Sequence, residues 1–206
     1  IGTATSAFWI LSANSWMQTP AGHEIRDGIA YPVDWLQVIF NPSFPYRLAH
    51  MLNAAYLTTA AVVLAVGARY LLRDRFPEEG RTMMRMAVGM IAITAPLQLF
   101  IGDLHGLNTL EHQPAKVAAM EGHWDEAKGS AFVLFGIPDR DARKNHYEIA
   151  IPGLGGLILK HEWDGRYAGL EQFPRDEWPP VANVFFTFRL MVGIGLFLIL
   201  IGFWGA

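Results

Sequence analysis

Hydrophobic and polar positions in this chain are segregated into blocks. Leu48 to Ala68 and Met86 to Ile101 carry no charged side chain, and between Val181 and Trp204 Arg189 is the only one. At about 1.5 Å rise per residue, roughly 20 residues cross a bilayer core, so the first and third blocks span outright and the second spans marginally. A fourth apolar run, "IGTATSAFWILSANSWM", opens the sequence. It has no basic leader and no small-residue cleavage site, so it reads as the end of a helix that begins earlier and not as a signal peptide. The last block runs without a polar exit to Ala206, and the expectation is a piece of a larger protein.

These blocks predict an all-α, polytopic transmembrane bundle with four membrane segments, at 1–17, 47–71, 84–103 and 183–205. The connections are 18–46, 72–83 and a long segment, 104–182. Arg69, Arg73, Arg75, Arg81 and Arg85 crowd the connection between the second and third segments, whereas 18–46 and its border hold only Arg26 and Arg47. Short arginine-rich loops stay cytoplasmic, which places 18–46 and 104–182 on the outer face.

Composition supports the membrane class: 52% of residues are hydrophobic, 17% are charged, and the mean hydropathy is +0.22. The absence of cysteine excludes disulfides, thiolate-held iron–sulfur clusters and covalent haem attachment. Any metal would be held by His, Met or carboxylate. A net charge of −3 gives no reason to expect a nucleic-acid partner.

His50 lies near the outer end of the second segment, and Met191 lies at a similar depth in the last. His and Met are a familiar axial pair for a six-coordinate haem iron, which moves electrons and binds no oxygen. Ala54, Ala55, Gly193 and Gly195 leave room for a porphyrin or for close helix packing. The plain alternative is a water-facing histidine near the interface and a chance methionine. Arg189 needs an anionic partner inside a membrane helix, and a haem propionate would serve; the alternative is a side chain snorkelling to the headgroups.

In "HQPAKVAAMEGHW", Pro114 suits a first helical turn and Gly122 a helix end. Lys116 and Glu121 are five apart, on different faces, with their charges directed outward. If a two-electron carrier such as a quinol is oxidised there, Glu121 is a natural proton acceptor and Lys116 a donor to a quinone oxygen. Solvated charges on an interfacial helix are the competing reading. His23, His105, His123, His146 and His161 are expected in outer loops, without the helical spacing of a metal site.

Six stretches, "SAFWILSANSWMQTPAG", "NPSFPYRLAHM", "GDLHG", "HQPAKVAAMEGHW", "FVLFGIPD" and "FRLMVG", together resemble subunit I of cytochrome bd ubiquinol oxidase, in the family's order and over essentially the whole chain. In particular they resemble its cyanide-insensitive branch with a short quinol loop. The resemblance implies that His50 and Met191 are axial ligands of a low-spin haem b, with Arg189 beside it. It implies that Lys116 and Glu121 serve quinol binding and oxidation, and that Ser6 and Asn14 line a proton path. It further implies quinol oxidation coupled to reduction of O2 to water, in a bacterial inner membrane, without proton pumping. A high-spin haem b, a haem d, a subunit II and a small accessory subunit are expected in the complete enzyme, with ubiquinol or menaquinol as donor. The competing classes are another quinone-linked membrane cytochrome b, which predicts paired histidines at two depths, and a transporter, which predicts repeats or midplane charges.

Overall fold

The computed structural model describes residues 2–125, 130–163 and 165–205. They form two compact units: the chain up to His105 together with the residues from Ile194 onward, and Gly106–Gly193.

In the first unit, α1 (Gly2–Trp16) leads to a hairpin of β1 (His23–Arg26) and β2 (Ile29–Pro32). Its two-residue turn is Asp27-Gly28, with φ of 52° and 76°, the mirror-image geometry that matches the twist of paired strands. The short α2 (Trp35–Ile39) starts where the Asp34 carboxylate accepts from the N–H groups of Leu36 and Gln37. Below it, Thr19, Asn41 and Ser43 form a buried hydroxyl and amide cluster that ties the end of α1 to the start of α3 (Phe44–Leu72).

Helix α4 (Pro77–His112) runs antiparallel to α3. Its first turn carries Glu78 and Glu79, favourable against the positive end of the helix dipole. One stripe of each helix faces the other: Gly67 meets Gly80, Leu57 and Ala60 bury against Ile91 and Ala95, Asn53 reaches Thr94 and Gln98, and His50 lies over Gly102. The later part of α7 (Val181–Gly205) adds Leu198 and Ile199 to this core. Gly202 is required there, since a Cβ at that position would sit 2.9 Å from the Ala92 backbone.

The outward faces of these helices are apolar. Ile93 is 71% exposed and Phe203 68%, surface that a water-soluble helix would bury. Three helical stretches, Trp35–Leu72 (which contains α2 and α3), Pro77–His112 and Val181–Gly205, are long and apolar enough to cross a membrane. The opening run, expected as a fourth segment, is a helix of 15 residues whose buried positions are Ser12 and Ser15. Polar packing against the 18–46 segment holds it: Ser12 donates to the Ile39 carbonyl at 2.9 Å.

The segment expected as a long outer loop, 104–182, falls mostly in the second unit and carries secondary structure of its own. Helix α4 runs on to His112, then α5 (Pro114–Glu121) ends at Gly122 in the left-handed conformation, φ 63°. A hairpin follows, β3 (Phe132–Asp139) with β4 (Lys144–Ile151), irregular in register on either side of Phe135. Then come α6 (Leu154–Lys160), a 3-10 turn at Leu170–Gln172 and the first half of α7. Ala118, Ala119, Trp124, Leu170, Trp178 and Val181 form the core. The fold is therefore mostly helical, and the expected all-α class gives way to helices with two hairpins. Strands of four to eight residues closed by turns leave a weaker trace in hydropathy than a membrane block of about twenty does.

Replacing Gly202 with Val is expected to destabilise the packing of α7 on α4 by about 1–3 kcal/mol through overpacking. Gly89→Ala, inside α4 where an added Cβ meets nothing within 4 Å, should not lower the melting temperature in detergent and should raise it slightly.

Candidate functional site

Two clusters bring together residues singled out by chemistry, one in each unit. In the first unit, His50 occupies the second turn of α3, half-buried, with Nδ1 buried and without a hydrogen-bond partner among the described residues. Gly102 of "GDLHG" allows α4 to approach: a Cβ there would lie 3.6 Å from the ring's Cε1. The His105 ring stands edge-on at 5.7 Å between centroids. His105 was expected in an outer loop, and α4 places it beside His50 because the helix does not end where its charge-free block ends. The backbone turn under His50 is braced by amides. Gln98 Nε2 donates to the His50 carbonyl at 3.1 Å, and Asn53 Nδ2 donates to Gln98 Oε1 at 2.6 Å and to the Thr94 carbonyl at 2.9 Å.

In the second unit, Glu121 ends α5 with its side chain 4% exposed, and Arg189 reaches it from α7 at 2.8 Å. The guanidinium is held on other sides as well. Its Nε donates to the Val133 carbonyl at 2.7 Å, and its centre lies 4.4 Å from the Phe132 ring and 4.8 Å from Phe185. Nη1 is buried with no hydrogen-bond partner among the described residues. The outward charges expected on α5 are thus corrected for Glu121: only the tertiary fold brings α7 against the helix end and removes its carboxylate from water. Burial pushes the Glu121 carboxyl above its ordinary range, against the opposing pull of Arg189. Lys116 is half-buried, with Nζ 3.3 Å from Gln113 Oε1.

Neighbouring residues fix this corner. The Asn145 side chain donates to the Gly122 carbonyl and accepts from the Trp124 indole, each at 2.9 Å, so β4 clamps the end of α5. Tyr167, 4% exposed, lies tilted against His123 at 4.6 Å. Burial and the negative charge of Glu121 raise its phenol above the ordinary tyrosine range. Neither Tyr167 nor Asn145 carried a signal in the sequence, since each acts through a partner far along the chain. Gln98 and Asn53 did carry one: they are amides inside otherwise apolar blocks.

Met191, two residues beyond Arg189, is 49% exposed, and an added Cβ at Gly193 or at Gly195 would meet nothing within 4 Å. His50 and Met191 belong to different units. Ser6 is exposed on α1, and Asn14 Oδ1 accepts from Arg47 Nη1 at 2.5 Å. Among the described residues no group of three or more His, Cys, Asp or Glu side chains is arranged to hold a metal ion.

A model of the cytochrome bd terminal oxidase subunit I family matches residues 1–206. The chain belongs to that family. It is 34% identical over 185 residues to the cytochrome bd-II ubiquinol oxidase subunit 1 of Escherichia coli (strain K12), covering 86% of this chain and 35% of that protein. It is 32% identical over 204 residues to the putative cytochrome bd menaquinol oxidase subunit I of Bacillus subtilis (strain 168), covering 97% and 46%. The solved structure of bd oxidase from Geobacillus thermodenitrificans superposes with a TM-score of 0.89 at 30% identity, over 98% of this chain and 46% of that one. The chain spans less than half the length of these relatives. Membership in the cytochrome bd family accords with the apolar helices and the mostly helical fold.

The buried pair in this cytochrome bd subunit has a testable energetic signature. Arg189→Met should cost about 3–5 kcal/mol, because it strands a buried carboxylate, and Arg189→Met combined with Glu121→Leu should recover part of it. The sign with pH follows from the raised carboxyl: its contribution is present below the unfolded value of 4.5 and is lost as pH rises through the higher folded value. The Arg189→Met deficit should therefore grow with pH above that point in thermal melts, and the double variant should not show the growth.

Proposed function

We propose that this chain forms the electron-entry part of a quinol:oxygen oxidoreductase in a bacterial inner membrane, with residues 104–182 on the periplasmic side. The Glu121–Arg189 pair carries the reading. Oxidising a hydroquinone requires that its hydroxyl protons leave with its electrons, and an acceptor inside an apolar wall must bind a proton more readily than a surface carboxylate does. Glu121 meets that need: it is 3% exposed, and its proton affinity is raised by burial. Lys116, on the same helix, is the proposed donor to a quinone oxygen. One relative is named a ubiquinol oxidase and another a menaquinol oxidase, so the donor class is a quinol.

His50 and Met191 are the proposed axial ligands of a low-spin haem b, with Arg189 the partner of a propionate. The donor chemistry of the residues suits the group: among the described residues, His50 Nδ1 and Arg189 Nη1 are buried without a hydrogen-bond partner. When bound, such a haem would supply reversible one-electron transfer. High-spin haem b, haem d and the reduction of O2 to water belong, in this reading, to the complete enzyme with its subunit II and a small accessory subunit. Protons for water would be drawn from the cytoplasmic side while quinol protons leave outside, separating charge without a pump. Ser6 and Asn14 are proposed for the inward proton path.

The test is a reduced-minus-oxidised spectrum of membranes containing the full-length protein. His50→Ala and Met191→Leu are each expected to abolish or shift the low-spin haem b bands and remove quinol oxidase activity; bands intact in both would overturn the ligand assignment. His105→Ala serves as a comparison, because its ring adjoins His50: loss of the band there, with Met191→Leu unaffected, would make the pair His50 and His105. Separately, Glu121→Gln should lower kcat with quinol by about 10²–10⁴-fold with the haem bands retained, whereas Lys116→Ala should chiefly raise KM.

A further inference from the structure

We propose that the Asn53–Gln98 amide pair is a positioning device for His50, beyond its part in joining α3 to α4. The inference rests on the reading of His50 as a haem ligand. Asn53 is 9% exposed and lies one turn after His50 on α3, in a block predicted to cross the membrane. Its Nδ2 spends both protons on α4, one on the Thr94 carbonyl and one on Gln98 Oε1; Gln98 Nε2 then donates to the His50 carbonyl. The orientation of each amide is set by this chain, because reversing either would face oxygen to oxygen or nitrogen to nitrogen. A helical carbonyl already accepts from the N–H four residues on, so Gln98 gives His50 a second donor and uses its remaining lone pair.

Three features mark the device as directed at the histidine. The chain ends on the backbone of His50 itself. On the same stripe of α4, one turn beyond Gln98, Gly102 faces the imidazole with only hydrogen, so the ring rests against the helix while its carbonyl is held. Interhelical glue alone would be met by Asn53 on the Thr94 carbonyl, with an apolar side chain at Gln98. In an apolar medium, linked amides strengthen one another, and a residue that orients a ligand is fixed most firmly through groups that have no water to exchange with.

The test uses the full-length protein in membranes. Gln98→Met keeps length and removes both hydrogen bonds. Expected is a shift in the low-spin haem b α-band and about a tenfold change in its oxidised-to-reduced ratio at a fixed potential, which is about 59 mV for a one-electron couple. Asn53→Ala, which leaves the Gln98 donation in place, should give a smaller shift of the same sign, and it serves if Gln98→Met does not fold. Gly202→Ala, at the α4–α7 contact far along the helix from His50, should lower the melting temperature without moving band or potential. If Gln98→Met and Asn53→Ala lower the melting temperature while band and potential stay at wild-type values, the pair is interhelical glue only and the proposal is overturned. A low-spin band that survives His50→Ala would overturn the ligand reading first, and the proposal with it.

Discussion

A carboxylate and a guanidinium taken out of water dictate the arrangement of the second unit. Each ion loses several kcal/mol of hydration, and an approach of 2.8 Å restores that only when the remaining donors and the surrounding surface are arranged as well. Arg189 needs the Val133 carbonyl and aromatic faces on two sides, so β3 and α7 must meet where α5 ends. Gly122 is part of the same requirement. It reverses the chain at the end of α5 with φ 63°, and a Cβ there would press on the Phe185 ring at 3.1 Å.

The first unit answers the same constraint with neutral groups. Inside a bilayer an unsatisfied polar group is costly, so the amides of Asn53 and Gln98 are satisfied against each other and against backbone carbonyls. Small residues bring the helices close enough for this: Gly67 and Gly80 at one end of the α3–α4 contact, and Gly102 at the other. The outward faces, apolar and exposed, are left to lipid or to other protein, and the polar chemistry is confined to the inward stripe.

Much of the fold was legible in the order of residues. The apolar blocks became α3, the middle of α4 and α7, because a helix that faces an apolar medium must be apolar nearly all round and leaves an unmistakable run. Pro114 and Gly122 bracketed α5 for local steric reasons. Less was legible where polarity and structure part company. Helix α4 continues through Asp103 and His105 to His112, since charged residues end an apolar block without ending a helix. The segment after it folds into a short helix, a hairpin and a second short helix, and the one apolar run there, Phe132 to Pro138, is too short for its period to say strand or helix.

The sequence by itself determined the membrane class, the family, and which side chains are chemically unusual inside apolar blocks: His50 and Arg189. It determined these because composition, block length and motif order are properties of the chain alone. Tertiary structure decided the partnerships. Glu121 meets Arg189 across a sequence separation of 68, and Gln98 reaches the His50 carbonyl across 48. Spacing rules within one helix extend over a turn or two, so they could assign Glu121 a face but not a partner. Whether a charge is solvated or buried depends on which element folds back over it, and that depends on the packing of the whole unit.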